Sequence, residues 1–254
     1  MKHLDDFLFT SSTVEDGNMS VDWSPEAEVI MNRRKFLEKN HLKLEDCVFM
    51  DLQHGADIAV VGDGDQGGSI KVDALMTDAP CLPAVPAHAG QAGVVLFLMT
   101  ADCFPLAYHD PVKNVAALAH LGWKSTDLGL AGKVVELMTK RFGSDPKDVV
   151  AFFGPGIHRE SYLVQSPTQK DDRRWTPFLE DALGRSPATG EALGFTKVDL
   201  VGFNQSALMD VGIQEGNISI SSENTAVSPR YFSHRRSMQT GEPEGRFATI
   251  VTIR

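Results

Sequence analysis

Four short apolar runs set the terms of the fold: VFMDLQ (48–53), IAVVG (58–62), VVLFLMT (94–100) and VAALAH (115–120). Each is too brief for an independent helix and is bounded by Gly, Pro or Asp, so all four read as β-strands. VVAFFG (149–154) and the terminal FATIVTIR (247–254) read as two more. A chain with so many buried strands needs partners for every backbone amide, which makes sheet formation the organising constraint.

Between the strands the apolar period changes. Ser24 followed by Pro25 is a helix start, with Val29, Ile30, Met31, Phe36 and Leu37 as the expected buried stripe and Asn40 as the stop. LAGKVVELMTKRFG (130–143) carries Val134, Val135, Leu137, Met138 and Phe142 at helical spacing and meets Gly143 as its stop. WTPFLEDALG (175–184) and DLVGFNQSALMDVG (199–212) read as a further helix pair, the second capped by Asp199 and closed by Gly212. VGDGDQGGSI (61–70) reads as a hairpin connection, and SPTQKDDRRW (166–175) and GRSPATGEALG (184–194) as surface excursions. The expectation is α/β (α+β): a single-domain mixed-sheet sandwich with flanking helices over residues 1–254.

A formal net charge of -10 argues against a surface built to neutralise a phosphate backbone, so no nucleic-acid partner is expected. MKHLDDFLFT lacks the basic start and apolar run of a secretory signal, and no stretch is apolar enough to span a membrane. A cytoplasmic protein is expected. Cys47, Cys81 and Cys103 are odd in number and scattered, unlike a disulfide framework, which leaves reduced thiols for chemistry.

Three residues with metal-binding chemistry fall at comparable places: His54 directly after VFMDLQ, Cys103 just after VVLFLMT, and His120 at the end of VAALAH. Strand ends are where α/β sheets place ligands, and two imidazoles with one thiolate suit zinc while leaving one tetrahedral position open. Singly, each residue has an ordinary alternative: a turn histidine, a small buried thiol, a satisfied core histidine. The spacing has none of the compactness of CxxC or HExxH.

TADCFPLAYHD (100–110) and AHLGWKS (119–125), preceded by LQHG (52–55) and followed by GPGIHRESYLV (154–164), FSHRR (232–236) and EGRFATI (244–250), are more specific. In this order they resemble the bacterial YfiH family, also called the laccase-domain or multicopper polyphenol oxidase family. Its pattern is QxHG, TADCxP, AHxGW, GPxI with a nearby Tyr, then SxRR and GR. The resemblance runs from about residue 48 to the C-terminus, roughly four-fifths of the chain.

The resemblance implies a mixed sheet with flanking helices and a mononuclear zinc held by His54, Cys103 and His120. It also implies a purine nucleoside phosphorylase that takes adenosine and related nucleosides with phosphate, with adenosine deamination in some members and an older assignment as copper-dependent phenol oxidases. On that basis Lys124 and Arg235 are the candidates for phosphate binding, with Lys124 also a catalytic candidate. Arg236 fits a structural ion pair better. Asp102, beside Cys103, is a candidate for orienting a ligand or shuttling a proton, against the alternative of a turn or capping residue. Phe104 and Trp123 are candidates for a purine pocket or for the core. His158 and His234 are assigned no role. Purine nucleoside and phosphate are the expected partners, and the chain is expected to act as a monomer or homodimer.

Several positions depart from the pattern. Lys124 and Ser125 stand where the family usually has Arg and Gly; Glu160 and Ser161 replace paired cysteines; SSENT (221–225) replaces a cysteine-containing segment; and the N-terminal Arg and Gly-Gly are missing. The chain therefore reads as a divergent member. Three alternatives stay open: a cysteine hydrolase with Cys103 as nucleophile and His120 as base; a copper-dependent polyphenol oxidase, disfavoured because one His-Cys-His site cannot make a multicopper centre; and a catalytically impaired nucleoside- or metal-binding protein.

Overall fold

The computed structural model describes residues 6–80, 93–185 and 192–254. Side-chain alternation decides its layers. In β8 (Val115–Leu121), Val115, Ala117, Ala119 and Leu121 enter one apolar cluster while Ala116 and Leu118 enter another, because successive side chains leave opposite faces of a strand.

β8 is central to a six-stranded sheet ordered β13-β9-β7-β8-β5-β3, whose other members are β13 (Ile218–Ile220), β9 (Val150–Phe153), β7 (Phe104–Asp110), β5 (Ala74–Thr77) and β3 (Ile58–Val60). A five-stranded sheet ordered β1-β14-β6-β2-β4 consists of β1 (Phe7–Ser11), β14 (Phe247–Ile253), β6 (Val95–Thr100), β2 (Cys47–Met50) and β4 (Ser69–Ile70). Both sheets mix parallel and antiparallel pairs: β2 runs parallel to β6, and β14 antiparallel to it.

The sheets face each other across Val48, Leu75, Leu96, Leu98, Leu118 and Val251, all buried. The outer face of the five-stranded sheet packs on α1 (Glu26–Lys39) through Phe36 and Leu37 against Phe97 and Ile250. The outer face of the six-stranded sheet packs on α3 (Leu130–Phe142) and α4 (Leu200–Asp210), with Val134, Met138 and Leu208 over Leu106 and Tyr108. Fully burying each large apolar side chain contributes roughly 1.5–3 kcal/mol, so the two outer cores fix the helices to the sandwich. Asp199 caps α4 by accepting the Gly202 N–H at 2.8 Å, and Gly143, at φ +70°, ends α3, both as the sequence predicts.

Three expectations are corrected. Residues 61–70 do not form a hairpin: β3 lies in the six-stranded sheet and β4 pairs with β2 in the other, so the segment crosses between sheets. Its turn composition signals a chain reversal but not which sheet edge receives the chain. In α1, Pro25 rather than Ser24 occupies the cap without a side-chain bond, and Ile30 and Met31 are exposed. The buried positions are Val29, Asn32, Phe36 and Leu37, one helical face.

Residues 175–184 are not a helix. After a 3₁₀ turn at Thr176–Phe178 the chain enters β11 (Leu179–Arg185), which pairs antiparallel with β12 (Ala192–Val198) beside β10 (Leu163–Val164) in a third, three-stranded sheet. Pairing with β12 engages the backbone groups on one edge of the strand, and Leu183, which an amphipathic helix would bury, is 91% exposed. Residues 166–175 expose Ser166, Thr168, Lys170, Asp171, Arg173 and Arg174 but bury Gln169, and they bury Trp175 against Phe203, ring centres 4.0 Å apart. Of the other expected excursion, residues 186–191 lie outside the described residues, as does Cys81. Cys47 and Cys103 are unbridged. Among the described residues, no helix is long and apolar enough to cross a membrane.

Candidate active site

The antiparallel register of β7 and β8 pairs Phe104 with Leu121 and Pro105 with His120, so Cys103 and His120 arrive at the same end of one hairpin. A methyl group at Gly122 would lie 3.0 Å from Cys103 Sγ and 3.7 Å from His120 Nε2, which places thiol and imidazole around one point and explains why no side chain stands there.

His54 comes from the loop after β2 and has φ +55°. Its strained backbone is held by Asp73, just before β5. One Asp73 oxygen accepts the His54 N–H at 2.9 Å, and the other accepts the Gly55 N–H at 2.7 Å. The same carboxylate lies 3.2 Å from His120 Nδ1, and the Asp73 carbonyl accepts the His120 N–H at 2.8 Å. A proton on Nδ1 directed at Asp73 leaves the Nε2 lone pair facing the thiol side, the carboxylate–histidine arrangement that orients metal-ligating imidazoles.

Charges differ sharply across the cluster. Burial disfavours a charged His120, yet the negative charge of Cys103 and the Asp73 hydrogen bond push its pKa up to about 9. His54 is held below the usual histidine value by burial and by the charge of His120, with Lys124 and Arg246 adding to this and Asp73 opposing it. Burial would raise Asp73, but its hydrogen bonds to His120, Gly55 and His54 lower it.

The donor set suits zinc. The His54 and His120 rings stand edge to face with centres 5.1 Å apart. Two imidazoles on one tetrahedral ion, at a Zn–N distance of about 2.0–2.1 Å, have centres roughly 5 Å apart. Among the described residues no three His, Cys, Asp or Glu side chains already converge as a metal cage, so closing the set needs side-chain rotation, for which the exposed His54 has room. All three residues line one cleft of about 840 Å³, together with Arg33, Arg246 and His234. A separate groove of about 730 Å³ beside the three-stranded sheet contains none of them.

The other sequence candidates are dispersed. Asp102, at φ +80°, is buried and fully engaged: it accepts the Thr225 hydroxyl at 2.7 Å and the Arg235 N–H at 2.7 Å, tying the β6–β7 turn to the first turn of α5 (His234–Thr240). The Arg235 side chain donates to the Leu163 carbonyl at 2.8 Å and lies over Tyr162. Arg236 donates to the carbonyls of Thr225, Ser228 and Tyr231 and pairs with Glu242, a structural role. Lys124, in α2 (Trp123–Asp127), is exposed and has no ion pair among the described residues.

Phe104 is buried against Phe153 and His158, and the half-buried Trp123 packs beside Trp175; neither is among the residues that line this cleft. His234 pairs with Glu244, and His158 Nε2 is buried without a partner. Ser125, where the family pattern has Gly, donates to the His120 carbonyl at 2.8 Å and accepts the Gly122 N–H at 3.0 Å, bracing the turn that follows His120. Ser161 accepts from Asn224 at 2.9 Å, while Glu160 is exposed.

Sequence reasoning missed Asp73, Arg33 and Arg246 as parts of the site, and it left Tyr162 without a role. Tyr162 is pushed up to about 12 by burial and by the charge of Cys103, which places it in the electrostatic reach of that thiol. Asp73 is a lone acid between apolar Val72 and Ala74 with no motif around it; only the pairing of β5 with β8 beside it reveals it.

The family model described as multi-copper polyphenol oxidoreductase laccase matches residues 10–254. The chain is 30% identical over 212 residues to the purine nucleoside phosphorylase YlmD of Bacillus subtilis, covering 83% of this chain and 73% of that protein. It is 31% identical to the protein of the same name from Geobacillus stearothermophilus, covering 84% and 75% of the two chains. The crystal structure of the Bacillus licheniformis hypothetical protein YfiH superposes with a TM-score of 0.80 at 26% identity, covering 100% of this chain and 95% of that one.

Proposed function

The chain belongs to the multi-copper polyphenol oxidoreductase laccase family, and on that premise we propose that it is a zinc-dependent purine nucleoside phosphorylase, cleaving adenosine and related nucleosides with phosphate and deaminating adenosine as a side activity. The observation that carries this reading is the single Asp73 carboxylate that sets both the His120 ring and the His54 loop on the wall of one cleft with Cys103. The names of the bacterial relatives supply the reaction class.

His54, Cys103 and His120 would hold the ion. When bound, zinc supplies a Lewis acid that polarises an oxygen of the co-substrate, or activates water for attack at the purine C6. In phosphorolysis a phosphate oxygen bonds to ribose C1′ as the glycosidic bond breaks, and the base leaves with the bonding pair and takes up a proton. Asp73 keeps the His120 proton on Nδ1, away from the reacting side. Lys124 offers an unpaired cation within electrostatic range of His54, and a point charge of this kind attracts phosphate without bidentate geometry.

The test is incubation of purified protein with adenosine and phosphate, following adenine and ribose 1-phosphate with and without a chelator. Phosphate-dependent adenine release that disappears on metal removal is expected; full activity in metal-free protein would overturn the zinc assignment, and adenosine binding without turnover would point to an impaired binding protein. The contact between Cys103 and His120 favours a second reading, a cysteine hydrolase with a thiolate–imidazole pair. Stoichiometric zinc that protects Cys103 from iodoacetamide excludes it; rapid alkylation of Cys103 in active, metal-free protein supports it.

A further inference from the structure

Arg33 has an unusual environment for a cation. Its Nε and Nη2 donate to the Met19 carbonyl at 2.9 and 2.7 Å, Nη2 also approaches the Met99 sulfur, and the guanidinium lies over the rings of Phe49 and Phe97 at 5.1 and 5.6 Å. Among the described residues it pairs with no carboxylate, and its Nη1 meets no protein acceptor. A desolvated charge without a carboxylate partner is costly, and burial pulls this guanidinium below its ordinary value, with the charge of Cys47 opposing it. The arrangement fixes a planar guanidinium, and Arg33 lines the cleft together with His54, Cys103 and His120.

A second arginine is tied to the same scaffold. The Met19 N–H donates to the Arg246 carbonyl at 3.0 Å, so one residue links the two arginines. Asn18 accepts the Arg246 N–H at 2.8 Å, and Asn32, beside Arg33, donates to the Asn18 carbonyl at 3.0 Å. Arg246 also lines the cleft. Its Nη1 is shared between Glu244 and the Gly245 carbonyl, and its charge reaches His54. The acidic residues that line the cleft, Asp22 and Asp51, form no ion pair with Arg33 among the described residues; Asp22 accepts from the Ser20 hydroxyl.

We propose that Arg33, supported by Arg246, forms the oxyanion subsite of the cleft and binds the phosphate that attacks the nucleoside. The subsite deepens the phosphorylase reading and rests on it for the identity of the anion. It adds to the sequence expectation of Arg235, whose guanidinium donates through Nη1 to the Leu163 carbonyl and lies over the Tyr162 ring. A guanidinium held through Nε and Nη2, with Nη1 uncommitted among the described residues, offers a charge-assisted donor to an oxyanion.

The experiment compares the zinc-loaded parent with Arg33→Gln, Arg33→Lys and Arg246→Gln, with melting curves as a check on folding. Steady-state KM is measured separately for phosphate and adenosine, and inorganic phosphate and AMP are each titrated calorimetrically without turnover. Roughly tenfold or greater weakening for phosphate in Arg33→Gln, partial recovery in Arg33→Lys, and an adenosine KM within about twofold support the subsite. Unchanged phosphate affinity in all three variants overturns it, as does a parent that binds AMP but not inorganic phosphate. Should Arg33→Gln fail to fold, Arg33→Lys and Arg246→Gln decide. Phosphate binding lost in the variants of a protein that never cleaves adenosine would sink the phosphorylase reading while the subsite stands.

Discussion

Asp73 Oδ1 and His120 Nδ1 lie 3.2 Å apart in the buried wall of the cleft, and that carboxylate also receives the N–H groups of His54 and Gly55. Two candidate ligands thus depend on one side chain that is not a ligand itself.

Asp73→Asn should lower zinc affinity roughly 10–100-fold, the usual effect of removing the partner of a ligating histidine. The amide can no longer accept from all three donors, so both the His120 tautomer and the His54 loop lose their reference. Metal content of the purified variant by mass spectrometry checks this; parent-like zinc occupancy in a competition against a chelator would count against Asp73 as the positioning residue.

Gly122→Ala puts a methyl 3.0 Å from Cys103 Sγ. Backbone conformation does not forbid alanine there, since φ is -90°. Thermal stability should change by no more than about 1 kcal/mol, while turnover falls roughly tenfold or more because small displacements of reacting groups are expensive. A variant with both properties unaltered would show that the thiol does not need its observed position.

Asp102→Ala separates scaffold from chemistry. The carboxylate holds Thr225 and Arg235, and alanine at φ +80° adds backbone strain. A loss of about 2–4 kcal/mol is expected in urea unfolding, with zinc content preserved in the folded fraction. Parent-like stability accompanied by collapsed turnover would restore Asp102 to the reaction.

His109 gives the fold an acid sensitivity. It is buried with neither ring nitrogen bonded, stacks on Phe7 at 4.6 Å, and is held below the ordinary value of 6.5 by burial, against the opposing charges of Asp110 and Asp6. Because the folded value is the lower one, stability is complete above about pH 6.5 and declines below it, where the unfolded chain gains a proton that the fold refuses. His109→Phe should remove this contribution and stabilise the protein by about 1 kcal/mol at neutral pH, the cost of an unsatisfied buried polar group. Melting temperatures at pH 5 and pH 7.5 should converge in the variant; an undiminished gap would assign the acid sensitivity elsewhere.

Much of the fold is legible locally, because β6, β8, β9, β14, α3 and α4 each carry their own period and stop signals. β11 is not: Leu179 to Leu183 mixes exposed and half-buried positions, and only pairing with β12 makes it a strand. The crossing of residues 61–70 between sheets is likewise a tertiary choice. The three candidate ligands are readable from residue type and strand-end position. Asp73 and Arg33 are not, because an acidic residue before a short strand and a basic residue on a helix look like solvated charges until distant segments pack against them. Arg235 shows the reverse, a motif cation that the fold commits to Leu163 and Tyr162.

The β7–β8 register has a consequence for how the site comes into being. Thiol and imidazole share one antiparallel ladder, so a two-donor half-site exists once that hairpin zips, a process that takes about 1–10 μs in isolated hairpins. His54 can join only after the β3–β5 pairing, which depends on a longer chain closure. Slippage of the ladder by one residue would turn His120 toward the helices and part it from Cys103 in a single step, so the proposed zinc site depends on the fidelity of this pairing.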